Sequence, residues 1–530
     1  MPSAPIPFGP LLETSSDQIS GGSPEAFNVL LDARGTLRKR PGLRAYTGVA
    51  PATSIDANGV LGLYVTDKRV AHTSGSAIVS GEHPGVLYAV GATVNASGDD
   101  HPRGRNVYRV AGGSATLLTG TADEDRLAAD ALATTRAPRP QFVETEALLV
   151  IAGGAEPAKI DIRPETFSAP NFTTNADYHD ISFLGGCPPL SSFVVTNSSR
   201  LLMNDTQLDQ TKIRYSSIAQ GIVTTTGHET WDPSPGAAGF VTAEAKSDAI
   251  VAFAENTNDI YVFGRRNLQL FAPDPSTTFA PTVTLELGCV APYSVVKTDD
   301  GFAWVDHQTR IVSSNGNEWN DLGAPIQETL DALTSPEDCY GYRYNESFAD
   351  CYVFRFEADE QTLVWQAGVG WARWAQLNEL TGEWEQFPVL CHHQRPDGGL
   401  NVVGLEDGTI RVLSLDADTD LGTTIVAHVR TGFIDRGSDI RKRCRAVHLT
   451  FKLPPNMTPG TCFLEYRDDL SEEWMQIPLQ LSTGDGNLTP TITVRSLGVY
   501  YRRQWRFRFP ETGDLRLVRA VEDFSIEEQE

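Results

Sequence analysis

These 530 residues contain no CxxC pair, no apolar stretch long enough to span a bilayer and no surplus of positive charge. Each absence removes a class of protein. The seven cysteines, Cys187, Cys289, Cys339, Cys351, Cys391, Cys444 and Cys462, are odd in number and isolated. That pattern points to buried thiols of a protein made in a reducing cytoplasm, not to a disulfide framework. Without some twenty consecutive apolar residues, no membrane helix is expected. The opening MPSAPIPFGP has neither a basic start nor an apolar run, so no signal peptide is expected either. Lys and Arg number 43 against 68 Asp and Glu, a net charge of −25. A protein that coats nucleic acid must neutralise phosphates and needs the opposite balance. A wall past which DNA slides does not, because negative charge prevents sticking, although ordinary solubility explains the acidity as well.

Signatures of catalysis are missing too. There is no GxSxG, HExxH, Walker or EF-hand loop. The glycine pairs Gly112-Gly113 and Gly153-Gly154 sit in hairpins with no following helix to cradle a phosphate. Cys391-His392-His393 comes nearest to a metal cluster but lacks further spaced ligands, and it reads as a strand end beside a turn. Accordingly no catalytic residue, metal or cofactor is expected, and the protein reads as non-enzymatic.

What is present is a long series of strand patterns. Glycine (46) and proline (32) are scattered through the chain, with Thr, Val, Ser and aromatics between them, which predicts many short strands and few helices. From 141 onward one plan returns: strand, turn, strand, loop, strand. It occurs at 141–162, 190–217, 249–274, 294–323, 339–376 and 399–416. Three- and four-stranded units every 40 to 60 residues match propeller blades, which bury their faces against their neighbours. An array of β-sandwiches is the structural alternative. One exception is expected at Ala122–Thr135, where an acidic start and Leu127, Ala131 and Leu132 predict a short helix. The predicted fold is all-β: an irregular β-propeller with an additional C-terminal β-sandwich-like domain. The predicted boundaries are an N-terminal arm over 1–27, the propeller over 28–420 with an inserted segment allowed for at 88–140, and the C-terminal β-domain over 421–530.

Two basic stretches are candidate contact surfaces. Near the N-terminus, NVLLDARGTLRKRPGLRAY (28–46) predicts a hairpin that turns at Gly35 and is stopped by Pro41-Gly42. Alternation places Arg38 and Arg40 on one side with Thr36, and Leu37 opposite. This is either an edge strand protected by its charge or, with Lys39 included, a contact that docks the edge onto another chain. At the other end, WRFRF places Trp505, Phe507 and Phe509 on one face and Arg506 and Arg508 on the other, with Arg502 and Arg503 just before. The basic side is either solvated or meets an acidic partner surface. DNA is the weaker expectation, because alternation supplies no aromatic platform on that side.

The spacing of Asn28, Asp32, Gly35, Leu37, Arg40, Pro41 and Gly42 resembles the opening of tail proteins of short-tailed bacteriophages. This is the family of packaged-DNA stabilisation proteins, also described as tail hubs or nozzles. Further along, RLLMNDTQLDQTKIRYSS before Trp231, IVAFAENTNDIYVFGRRNLQLF, GFAWVDHQTRIVSSNGN and the closing LGVYYRRQWRFRF resemble the same family in collinear order. The resemblance implies a structural virion protein of the phage tail, assembled in the host cytoplasm into a homohexameric ring below the portal. It further implies partners in a portal or adaptor ring protein and in tail needle, fibre or spike proteins. Double-stranded DNA would pass through the ring without sequence-specific binding, and the ring would retain the packaged genome. The alternative from another class is a soluble carbohydrate-binding or glycoside-cleaving propeller.

Overall fold

The structure is a computed structural model. It describes residues 3–12, 24–32, 35–46, 54–66, 69–70, 82–83, 86–95, 104–111, 114–118, 126–128, 139–153, 157–162, 181–188, 191–204, 209–218, 226–232, 238–243, 248–257, 259–274, 278–378, 380–395, 399–455, 460–469, 471–482, 486–510 and 514–527. Strands dominate and the chain forms two compact units.

One unit, Ala45–Asn320 with Pro388–Val412, is a six-bladed β-propeller. Its first blade orders Val60–Val65, Leu87–Asn95, Gly104–Ala111 and Ser114–Leu117 side by side. The second, Gln141–Glu144, Leu148–Ala152, Ala158–Asp161 and Ile181–Phe183, shows why the pattern works. All five residues of Leu148–Ala152 are buried. Leu149 and Ile151 pack on Tyr88, Val90 and Val107 of the first blade. Leu148, Val150 and Ala152 pack on Val194, Leu201 and Met203 of the third. A period of two with both faces covered turns an alternating strand into a continuous apolar run. The third blade (Val194–Asn197, Arg200–Asn204, Lys212–Tyr215 and Gly239–Thr242), the fourth (Ile250–Asn256, Asp259–Gly264, Leu268–Asp274 and Thr278–Leu285) and the fifth (Val296–Lys297, Phe302–Val305, Ile311–Ser314 and Trp319–Asp321) follow. They share one cluster in which Phe263 meets Trp304 edge-on at 5.0 Å and the Trp304 indole donates to Gly288 O at 2.9 Å.

The sixth blade, Val389–Gln394, Asn401–Leu405 and Ile410–Ser414, lies against the first. Cys391 Sγ donates to Val60 O, the Arg139 guanidinium donates to Leu390 O at 2.8 Å, and Ile55 N donates to Gly408 O at 2.9 Å.

The other unit gathers three separated stretches, Met1–Arg44, Asp321–Phe387 and Leu413–Glu530. Its nine-stranded sheet runs Tyr340–Glu346, Ala349–Phe356, Gln361–Gln366, Gly370–Arg373, Glu25–Phe27, Ala427–Arg430, Arg503–Phe509, Gly460–Asp468 and Met475–Leu481. The three-residue strand Glu25–Phe27 joins the two halves, parallel to Gly370–Arg373 and antiparallel to Ala427–Arg430. A second sheet is built around Lys442–Lys452 and Arg516–Ile526, which also carries Leu37–Lys39 and Ser3–Pro5. Phe451 of this sheet meets Phe507 of the first at 5.8 Å, so the two sheets share a sandwich-like core.

These boundaries are not the contiguous 28–420 and 421–530 of the sequence reading. The strands at 339–376 have the length and alternation of a blade, but they hydrogen-bond within the nine-stranded sheet. Residues 1–27 include Glu25–Phe27 of this sheet and Ser3–Pro5 of the second sheet, so more than an arm lies there. The segment 88–140 contains first-blade strands, not an insertion. Of the helix expected at 122–135, Arg126–Ala128 is instead a strand paired with Gly104–Asn106, and the rest lies outside the described residues. Tertiary pairing overrides a weak local helix preference.

Six of the seven cysteines are buried and Cys187 is half-buried. Burial pushes the Cys289 and Cys391 thiols up to about 12. Ellman's reagent should therefore titrate one thiol, Cys187, in native protein and all seven after denaturation. Several fast-reacting thiols in native protein would contradict this packing.

Candidate functional site

The first candidate stretch is interior. Leu37–Lys39 lies between Val29–Leu31 and Arg516–Ile526 and is not a sheet edge. Arg38, Lys39 and Arg40 are only 7%, 5% and 2% exposed. Arg38 and Arg40 are therefore not the charged side of an edge strand that the sequence suggests. Arg40 forks onto Asp420, with Nη2 to Oδ2 at 2.6 Å and Nη1 to Oδ1 at 3.1 Å. Its Nε donates to Asn28 Oδ1 at 2.9 Å, and its ring-facing side stacks on Phe387 at 4.4 Å.

Asn28, Asp32, Arg40 and Gly42 of the 28–42 motif each have a structural reason. Asn28 adopts a left-handed φ of 56°, accepts from Ala375 N as well as Arg40, and donates to Val426 O. Asp32 Oδ1 takes the Thr36 amide across the Gly35 turn. Gly42 lies so near the carbonyls of Thr419 and Ala417 that a Cβ would fall 2.5 Å and 2.7 Å from their oxygens. The motif thus ties together the unit's three chain segments. Asp420, some 380 residues away, carries no sequence signal that marks it as the partner. Beside this knot, Arg38 and Arg516 share Asp514, and Lys39, Glu346, Asp416 and Asp418 help line a cleft of about 510 Å³.

The second stretch divides by parity, as alternation predicts. Trp505, Phe507 and Phe509 are buried, and Arg506 and Arg508 are half-buried on the opposite face. Arg503 falls on the core side, fully buried and paired with Asp468 at 2.6 Å, so it is not a contact residue on the basic face. Arg502 stacks over Phe433 at 5.7 Å. Strand register then extends the basic face: His428 opposes Arg508 and Arg430 opposes Arg506, while Arg467 opposes Gln504 on the other neighbour.

Aromatic rings share this face after all. Arg506 stacks on Trp474 at 4.1 Å, Arg467 on Trp474 and Phe433 at 5.1 and 5.3 Å, and Arg508 on Phe463 at 5.1 Å. They come from neighbouring strands and loops, which alternation within WRFRF does not reveal. Arg506 pairs with Glu465, and Arg430 pairs with Glu25 at 2.6 Å. Burial first, and then the neighbouring Arg467 and Arg506, hold the Arg430 guanidinium below its ordinary pKa despite Glu25.

The Cys391-His392-His393 run lies in the sixth blade. His392 Nε2 bonds Asn401 Oδ1 at 3.0 Å and His393 packs on Tyr64 at 4.6 Å. Desolvation holds the two imidazoles down, to about 3 and about 4. Histidines so depressed are neutral at pH 7, and both are half-buried here with these packing partners.

A family model described as "Bacteriophage P22 Gp10, beta-propeller" matches residues 220–328. That span covers the end of the third blade and the whole of the fourth and fifth, including two of the stretches quoted above. No curated protein matches. Among solved structures, Hsv2 of Kluyveromyces lactis is similar at 10% identity, covering 58% of this chain and 86% of its own, with a TM-score of 0.28. A glycoside hydrolase family 43 arabinoxylan arabinofuranohydrolase of Bacillus subtilis is similar at 10% identity, with 84% and 94% covered and a TM-score of 0.24.

Proposed function

We propose that this chain is a structural subunit of a short-tailed phage virion. In this reading it forms a tail hub or nozzle ring below the portal that extends the DNA channel, retains the packaged genome and carries further tail parts. The observation that carries the proposal is the family match across the fourth and fifth blades. The stretches resembling that family run collinearly on both sides of the matched span. Physical support comes from the scaffold and the charge. The six blades of one unit and the two packed sheets of the other are each a stiff scaffold of the kind a load-bearing ring needs. At −25 the chain is repelled by phosphate, which favours passage of DNA over retention by adhesion. The proposed role is non-enzymatic, with copies of itself, a portal or adaptor ring and needle, fibre or spike proteins as partners.

Gold-labelled antibody against this chain, applied to the source's phage lysate and viewed by negative-stain electron microscopy, tests the reading. Label is expected at the base of short tails. Its absence from intact and disrupted particles alike would overturn the proposal.

A further inference from the structure

The outer face of the nine-stranded sheet differs in charge from the rest of the protein. Register places Arg373, His428, Arg430, Arg467, Arg506 and Arg508 on one face, where the carboxylates at the paired positions are Glu25 and Glu465. His428 is buried and Arg373 donates to Thr329, so the half-buried Arg430, Arg467, Arg506 and Arg508 are what this face presents. Every cation besides the histidine is arginine, and Trp474, Phe463, Phe433 and Phe27 stack on them. Arginine with aromatic support and no lysine is the composition of protein–protein interface centres. Glu465 and Glu25 neutralise Arg506 and Arg430. Among the described residues no carboxylate pairs with Arg467, whose Nε donates to Gln504, or with Arg508, whose buried Nε has no hydrogen-bond partner. Positive charge is therefore left over on a chain whose total is −25.

We infer that this face is where the acidic surface of a second copy of the chain docks. Bodies of charge −25 repel one another, and a place where the sign is reversed favours and orients association between copies. This face provides one. The same charge restricts the symmetry of the contact. A two-fold contact through the face would place arginine against arginine, so the contact is head-to-tail, between the basic face of one copy and an acidic region of the next. Head-to-tail contacts either close into a ring or continue as a filament. The inference rests on the ring reading above and identifies the surface that would build the ring.

Sedimentation velocity on the full chain, over a concentration series at low and high salt, tests it. Wild type is expected to assemble at low salt and to dissociate as salt screens the contact. Arg467→Glu/Arg508→Glu leaves the Glu465 and Glu25 pairs in place. It should weaken self-association by at least about a hundredfold, as loss of close interfacial charge pairs does. Arg445→Glu/Arg495→Glu makes the same charge change at exposed positions of the other sheet and should assemble as wild type does. Thermal unfolding by circular dichroism confirms that both variants are folded. If Arg467→Glu/Arg508→Glu unfolds, Arg508→Gln is measured in its place, with a smaller loss of assembly expected.

A wild type that stays monomeric, or a face variant that assembles normally, would overturn the inference. So would a labelled DNA duplex bound by monomeric wild type and lost in the face variant, which would assign the face to nucleic acid. Gold label at the tail combined with normal assembly of the face variant would leave the virion reading standing and remove this surface from it.

Discussion

Asp420→Ala is expected to lower the stability of the two-sheet unit by about 3–5 kcal/mol, the usual cost of leaving one partner of a buried ion pair alone. The Arg40 side chain is 1% exposed and that of Asp420 is 6% exposed. Removing the carboxylate strands a guanidinium whose other contacts, Asn28 Oδ1, Pro41 O and Ala375 O, carry no charge to balance it. It also deprives the Leu43 amide of its acceptor. Arg40→Met should be costly in the same way, because it leaves a buried carboxylate. The double change Arg40→Met/Asp420→Leu should cost clearly less than the two single losses combined, since no charge is then left unpaired. Denaturant unfolding followed by tryptophan fluorescence reads this unit through Trp371, Trp374 and Trp505, all buried in it. An unchanged midpoint in Asp420→Ala, accompanied by lost self-association, would return Arg40 to a surface role.

The second large effect is expected at a glycine. Gly408 and Gly382 both turn a hairpin at φ +75°, so alanine at either costs about 1–2 kcal/mol of left-handed backbone strain. Their surroundings separate them. A Cβ on Gly382 would meet nothing within 4 Å, whereas one on Gly408 would lie 1.6 Å from Asp56 O. That carbonyl belongs to the loop entering the first blade, and Ile55 N donates to Gly408 O in the same place. Gly408→Ala must therefore push the sixth blade's hairpin away from the first blade. Overpacking adds a further ~1–3 kcal/mol and opens the junction where the propeller ring closes. Limited proteolysis should cut the variant faster near residues 54–60, whereas Gly382→Ala, though carrying the backbone strain, should be cut there no faster than wild type. Equal losses in the two variants would mean that the close approach at Gly408 is not there.

How far the candidate sites were legible depends on the distance over which each argument has to reach. The split of Trp505, Phe507 and Phe509 from Arg506 and Arg508 is a property of one strand, and strand geometry enforces it wherever that strand goes. The stacking of Trp474 on Arg506 and of Phe463 on Arg508 is not, because it depends on which strand lies alongside and in what register. RKRPG shows the same limit more sharply. Alternation placed Arg38 and Arg40 on one side, but a charged strand at a solvent edge and a charged strand clamped against distant carboxylates look identical until Asp420 and Asp514 are in place.

By itself the amino-acid sequence determined that this protein is made of short strands. Its scattered glycines and prolines, alternating apolar residues and thinly distributed cysteines permit little else, and the blade repeat follows from the same local periodicity. Only the tertiary structure decided which strands belong together. It sent 321–387 out of the propeller and set the three residues Glu25–Phe27 at the centre of a nine-stranded sheet, and it turned the arginines of the N-terminal motif inward. The physical reason is that a strand's alternation specifies which side is buried, whereas the backbone hydrogen bonds that select its neighbour are the same for every residue type except proline.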